Sequence, residues 1–188
     1  MIKKVLSTAS IITIIALQAQ AAQPYKGFNL NGQAINPVCI SKMRPLISDG
    51  GIIVKSIVLE QCQNSDWAFH DKPISTTENK VTTEIEGENF SYEVIGKTDS
   101  GLFIVHHTGN NIAAYRIDKQ TIKPDLLKPE TKKVHTLTNV GESFVPCFKS
   151  AKVKGNTLIV EKHVYDPNAS HAQECKDETE TVKYKIKP

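Results

Sequence analysis

Two adjacent histidines, His106 and His107, are the first residues in this chain whose side chains suggest chemistry. They end the apolar run 102–105 and precede a turn-like Thr-Gly-Asn-Asn sequence. Neighbouring residues on a strand point to opposite faces of a sheet, so the two imidazoles cannot readily share one metal ion. We therefore expect a structural pair at a strand end, with one ring at the core edge and the other facing solvent or a second sheet.

A second group of possible metal ligands lies near the C-terminus. His163, Asp166, His171 and Cys175 offer imidazole, carboxylate and thiolate groups, which all suit first-row metals. Their spacing matches no known metal site, Asp166 begins an ordinary Asp-Pro-Asn turn, and Cys175 is better used in a disulfide. The candidate metal ligands are thus His163, Asp166 and His171, but we expect no bound metal and no other cofactor.

The sequence contains no recognised catalytic motif. Ser143, in Val-Gly-Glu-Ser-Phe-Val, lacks the second glycine of a nucleophile elbow, and no P-loop, dinucleotide-binding or His-Glu-x-x-His pattern occurs. A glycosidase needs two carboxylates at a defined separation, whereas the acidic stretch of this chain is typical of solvated hairpin charges. We expect no catalytic residues and favour a non-enzymatic function over an enzymatic one. The acidic residues are Glu84, Glu86, Glu88 and Glu93.

Four cysteines, Cys39, Cys62, Cys147 and Cys175, are predicted to form two disulfides. An even number of cysteines in an exported chain is typical of a disulfide framework. Of the three possible pairings we favour Cys39–Cys62 and Cys147–Cys175, because the partners are close in sequence and one bridge then lies in each half. Each bridge would stabilise the fold by about 3 kcal/mol in the chain-entropy model.

Residues 1–21 have the three parts of a secretory signal peptide: a basic start, the apolar stretch 5–17, and small residues at Ala19 and Ala21 before the cleavage point. The apolar stretch is shorter than the ~20 residues that span a bilayer. We therefore expect a single mature domain, 22–188, without a membrane span. Removing the two lysines of the signal peptide lowers the formal charge from +3 to +1. A nearly neutral domain does not favour nucleic acid as a partner.

Alternating polar and apolar residues between frequent turns predict strands through most of this domain. Gly155-Asn156 is a two-residue hairpin signal. In the last strand Val182, Tyr184 and Ile186 are predicted to face inward. The segment 119–130, which holds two prolines, is predicted to cross between sheets. The predicted strands cover 52–62, 81–85, 90–95, 102–107, 112–117, 132–139, 144–154, 157–165 and 181–187, with Pro146 at an edge or bulge and Cys175 in a loop over 166–178.

One short N-terminal helix is predicted over 37–44. Asn36 is a favourable N-cap, Pro37 suits the first helical position, and Pro45 ends the helix. Trp67 and Phe69 are expected to cap the core from a loop. Short strands, frequent turns and one short helix predict an all-β domain, built as an antiparallel sandwich or a bent open barrel.

These features predict an exported bacterial protein, periplasmic or secreted, with a disulfide-stabilised β-domain. The favoured function is non-catalytic binding of an envelope or extracellular protein or of a glycan, by analogy with other loop-bearing β-domains. Two alternatives stay open. One is a small secreted hydrolase with a site assembled from distant strands, and the other is a periplasmic metal-binding protein that uses His163, His171 and a free Cys175.

Overall fold

Antiparallel strands form most of the described chain, which confirms the predicted all-β class. The structure is a computed structural model that describes residues 27–41, 43, 46–48, 51–53, 56–64, 74–77, 80–85, 87–107, 110–122, 131–166 and 175–187. The predicted signal peptide, Trp67, Phe69 and His171 lie outside these residues. The elements in chain order are β1 (Asn29–Leu30), β2 (Gln33–Ala34), α1 (Pro37–Ser41), β3 (Leu46–Ser48), β4 (Gly51–Ile53), β5 (Ser56–Val58), α2 (Leu59–Asn64), β6 (Ser75–Thr77), β7 (Lys80–Ile85), β8 (Glu88–Lys97), β9 (Phe103–His107), β10 (Asn111–Ile122), β11 (Lys132–Phe144), β12 (Phe148–Lys154), β13 (Thr157–Tyr165) and β14 (Cys175–Lys185).

Two main sheets organise these strands. The larger has seven strands in the order β5-β11-β10-β9-β8-β7-β6, and the smaller has three in the order β12-β13-β14. The predicted hairpin at Gly155-Asn156 joins β12 to β13, and Gly155 has the positive φ, 60°, that such a turn requires. The chain passes from the larger sheet to the smaller between β11 and β12, around Pro146.

The predicted inter-sheet crossing at 119–130 is wrong. β10 extends to Ile122 and β11 begins at Lys132 as its antiparallel neighbour, with these two residues opposite each other. The two prolines of this segment lie outside the described residues, between β10 and β11 in the sequence. They therefore separate two strands of the same sheet.

The N-terminal segment and the two helices cover one face of the larger sheet. Phe28 is fully buried, and its ring lies edge-on to Tyr92 with 5.7 Å between the ring centroids. The Tyr92 hydroxyl donates a hydrogen bond of 2.7 Å to the backbone oxygen of Ile35. We call this layer the first core; its other members include Leu30, Cys39, Ile40, Met43, Leu59, Val94, Val105, Tyr115 and Leu137.

The smaller sheet covers the opposite face. Gly96, at a bulge in β8, permits close approach of the two sheets, because a Cβ atom there would lie 3.2 Å from Val153 Cβ. The larger sheet is thus the middle layer of three, which explains why 103–105 is apolar on both faces. We call the contact between the sheets the second core; its buried members are Ile104, Ile112, Val145, Leu158 and Val160.

Helix α1 begins as predicted but ends at Ser41. The Asn36 side chain caps it by accepting a hydrogen bond of 3.0 Å from the Val38 N–H.

The predicted strand over 52–62 is wrong in its second half, because α2 occupies 59–64. Cys62 bonds to Cys39, while the next residue, Gln63, hydrogen-bonds to Asn36 and Ala34. Consecutive strand residues point to opposite faces, whereas the helical turn lets both side chains reach the neighbouring segment 34–39.

Both predicted disulfides, Cys39–Cys62 and Cys147–Cys175, are present. Cys175 does not lie in a loop as predicted, because it is the first residue of β14. Likewise, the predicted strand 144–154 starts only at Phe148, after a turn that holds Pro146 and Cys147.

The two bridges indicate an oxidising environment, extracellular or periplasmic. Neither described helix has the length and apolar character that crossing a membrane requires.

Candidate functional site

His106 and His107 lie on opposite faces of β9, as predicted. His107 is 5% exposed in the first core, and its Nε2 atom is 2.9 Å from the Tyr115 hydroxyl. The same two rings meet edge-on at 5.7 Å between centroids. His107 is therefore a core histidine held by a neighbouring strand.

His106 instead contacts the smaller sheet. Its ring stacks on Phe148 at 4.0 Å between centroids, and its buried Nε2 atom has no hydrogen-bond partner among the described residues. Glu93 lies opposite His106 on β8, with Lys80 beyond it on β7. Burial, and then the charge of Lys80, lowers the pKa of His106 below its usual value. The neutral ring is thus the form that fits between the sheets.

Replacing His106 by phenylalanine will weaken the acid sensitivity of the fold. Because the pKa of His106 is lower in the folded than in the unfolded protein, the unfolded state binds more protons as the pH falls below 6.5. The wild type should therefore lose stability through that range, and the variant should lose less. Urea unfolding at a series of pH values measures the difference, and curves that stay parallel through pH 6.5 would contradict the assignment.

The candidate metal ligands near the C-terminus have other contacts. His163 Nδ1 lies 3.0 Å from the Lys176 backbone oxygen, and Asp166 Oδ2 lies 3.8 Å from Lys176 Nζ. Cys175 is bonded to Cys147, so it does not supply the free thiolate that the metal-binding alternative required. Within the described residues, no three acidic, histidine or cysteine side chains are grouped to hold a metal ion.

The acidic stretch spreads along two strands. Glu84 is half-buried on β7, opposite Asn89 of β8, whereas Glu88 and Glu93 are exposed on β8. Glu86 lies outside the described residues. The exposed pair fits the predicted solvated charges.

A contact that the sequence did not predict joins α2 to β11. Both carboxylate oxygens of Glu60 accept the His135 backbone N–H, at 3.0 and 2.9 Å, and Oε1 lies 2.7 Å from His135 Nδ1. Burial raises the pKa of Glu60, but the hydrogen bonds from His135 outweigh it and hold the pKa below its ordinary value. β5 pairs with residues 136–138 of β11. The adjacent residue of β11, His135, lies just outside that pairing, and its backbone N–H donates to the Glu60 carboxylate instead. This pair holds the helix against the sheet.

A mainly apolar cleft of about 320 Å³ opens between the two sheets. Its volume is within the range of about 300–1,000 Å³ that is usual for small-ligand sites. Four buried residues of the second core contribute to its walls, so the cleft is continuous with that core. The lining residues are Leu102, Ile104, Ile112, Ala113, Ala114, Val140, Gly141, Glu142, Ser143, Val145, Leu158, Tyr184, Ile186 and Lys187.

A bulge in β11 shapes one wall of the cleft. The register with β10 shifts between Ala114 and Tyr115, so Val140 has no opposite residue. Asn139 fixes this bulge, because its Nδ2 donates to the Met43 backbone oxygen at 3.1 Å and its Oδ1 accepts from the Gly141 N–H at 3.0 Å. Nothing lies within 4 Å of the position that a Gly141 Cβ would occupy, so the cleft is open there.

Strand β14 and the residues after it form the opposite wall. Ile186 is half-buried, and its N–H donates to the Asn156 backbone oxygen at 2.9 Å, which holds the strand beside the β12–β13 turn. Tyr184, which was predicted to face inward, lines the cleft and is 37% exposed at its opening. Tyr184 and the equally exposed Val140 both line the cleft.

Sequence reasoning missed this cleft, although it named Ser143, Tyr184 and Ile186 for other reasons. The available signal was Gly141, a glycine within a strand of otherwise larger residues, which often marks a bulge. The chain matches no protein-family model, no curated protein and no solved structure. The cleft is therefore the candidate functional site on its geometry.

Proposed function

We propose that this chain is an exported, non-catalytic binding domain, periplasmic or secreted, that takes an apolar ligand into the cleft between its two sheets. The observation that carries the proposal is the cleft itself, which joins aliphatic walls to the exposed Tyr184 and Val140. Burying apolar surface is the main favourable term in most association reactions.

Side chains that suggested chemistry in the sequence have structural contacts instead. His107 bonds to Tyr115, His163 to the Lys176 backbone, and Cys175 to Cys147. These contacts favour ligand binding over the alternatives of a hydrolase or a metal-binding protein.

The composition of the walls distinguishes between the ligands considered from the sequence. A glycan presents many hydroxyl groups, and each must find a hydrogen-bond partner when it leaves water. The walls are mainly aliphatic, so an apolar group of an envelope or extracellular molecule is a better match than a glycan.

A neutral fluorescent probe, N-phenyl-1-naphthylamine, tests this function with the exported, disulfide-bonded protein. We expect saturable binding at one site, and at least tenfold weaker binding by Gly141→Leu, whose side chain would occupy the open cleft. Thr179→Leu adds the same side chain at an exposed position of β14 outside the cleft, and it should bind like the wild type.

Ser143→Trp provides a second blocking variant at an exposed residue, where substitution is tolerated by the fold. Ser143 pairs with Ile112 of the second core, so its side chain is on the cleft face. Thermal unfolding confirms that each variant is folded. The proposal is overturned if the wild type shows no saturable binding, or if both folded blocking variants bind the probe as well as the wild type does.

A further inference from the structure

We infer that the ligand of the cleft is a single-chain amphiphile with an anionic head group, whose chain lies between the sheets and whose head group meets Lys187. The inference rests on the proposed function and specifies the ligand class of the same site. Ile104, Ile112, Val145 and Leu158 provide the apolar part. These residues belong to the second core, so an inserted chain would extend it.

The polar groups of the lining are at the ends of elements. Ser143 is the second-last residue of β11, and Lys187 lies two residues beyond the end of β14. Both are exposed, and Tyr184 adds a phenol group that is partly exposed. A ligand with its chain against the buried residues therefore has an ammonium and two hydroxyl groups available for its polar end.

The charge expected for the head group follows from the positions of the two charged lining residues, Glu142 and Lys187. Glu142 pairs with Ala113, whose side chain belongs to the first core on the far face of the larger sheet. Side chains of directly opposite residues share a face, so the Glu142 carboxylate is directed away from the cleft. Lys187 lies beyond the last residue of β14, where the alternation of the strand no longer applies, and it lines the cleft. Among the described lining residues, Lys187 thus supplies the charge at the cleft, and it complements an anion.

Competition between decanoate and 1-decanol for the N-phenyl-1-naphthylamine site tests this inference, because the two ligands share a chain and differ in charge. We expect decanoate to bind more tightly than 1-decanol at low ionic strength, and the advantage to shrink in about 0.5 M salt as screening grows. Lys187→Gln should weaken decanoate binding about threefold, the size expected for an exposed ion pair, and leave 1-decanol unchanged. Lys187→Arg should retain the preference.

Lys185→Gln is the matched control, because Lys185 is an exposed lysine of the same segment that does not line the cleft. Its effect on decanoate should be clearly smaller than that of Lys187→Gln. Shortening the carboxylate from ten carbons to eight should lower affinity by about fourfold for each methylene removed.

The outcomes separate the two proposals. If the probe binds and Gly141→Leu blocks it, but decanoate and 1-decanol compete equally and Lys187→Gln changes neither, the amphiphile inference is overturned while the proposed function stands. If decanoate weakens equally in Lys187→Gln and Lys185→Gln, the head group does not meet Lys187 and the inference is again wrong. Failure of the probe itself to bind overturns both.

Discussion

Replacing Cys39 and Cys62 together by alanine will destabilise the domain more than replacing Cys147 and Cys175. The two bridges span 23 and 28 residues, so the chain-entropy model assigns each a similar contribution of about 3 kcal/mol. The difference arises from burial in the folded state. Cys39 is fully buried and Cys62 half-buried in the first core, whereas the second bridge joins Cys147, which is 7% exposed, to the exposed Cys175 and belongs to neither core.

Removal of the first bridge therefore adds a packing defect to the loss of loop closure. We expect a total loss of about 4 kcal/mol for Cys39→Ala/Cys62→Ala, against about 3 kcal/mol for Cys147→Ala/Cys175→Ala. The first bridge also joins α1 to α2, so its loss should loosen the whole layer above the larger sheet.

Urea unfolding of the wild type and the two double variants measures these losses, provided each gives a single transition with a similar slope. Hydrogen exchange adds a local test: protection should fall around α1 and α2 in the first variant, but not in the second. Equal losses, or a larger loss for the second variant, would show that burial of Cys39 contributes little.

Leu137→Ala will cost about 4 kcal/mol of unfolding free energy, and Leu158→Ala will cost about 2 kcal/mol, although the chemical change is identical. Leu137 is fully buried in the first core between the larger sheet and the helical layer. Its removal leaves a closed cavity, and the surrounding side chains lose their contacts with it.

Leu158 is almost as buried, at 7% exposed, but it lines the cleft. The space left by its removal joins an existing opening, so fewer packing contacts are lost. The same denaturant measurement compares the two variants, and equal costs would indicate that the cleft is closed in solution. Leu158→Ala also enlarges the cleft, so its probe binding should change while that of Leu137→Ala should not.

Features set by a few neighbouring residues were predictable from the sequence. Asn36 and Pro37 predict the start of α1, because the cap needs only a side-chain oxygen two residues before a free N–H. Gly155-Asn156 predicts its hairpin for a similarly local reason. The disulfide pairing followed from short sequence separation.

Features that depend on distant contacts were missed. Residues 59–62 are predicted to end the strand 52–62, yet 59–64 form a helix, in which Cys62 bonds to Cys39 of α1 and Gln63 to Asn36 and Ala34 just before it. The prolines in 123–130 suggested a crossing, while the pairing of β10 with β11 depends on residues on either side of them. Local propensity is a weak guide wherever tertiary contacts favour another conformation.

The candidate site illustrates the same division. Strand periodicity alone placed His106 and His107 on opposite faces, which removed the metal site that their adjacency suggested. Residue types and spacing likewise accounted for the all-β class and both disulfides. The cleft required the tertiary structure, because its walls come from β9 to β11 on one side and from β13, β14 and the residues after β14 on the other. Gly141 is a local signal of the bulge at Val140, but the gap between the two packed sheets also depends on the distance between the layers, which no short stretch of chain encodes.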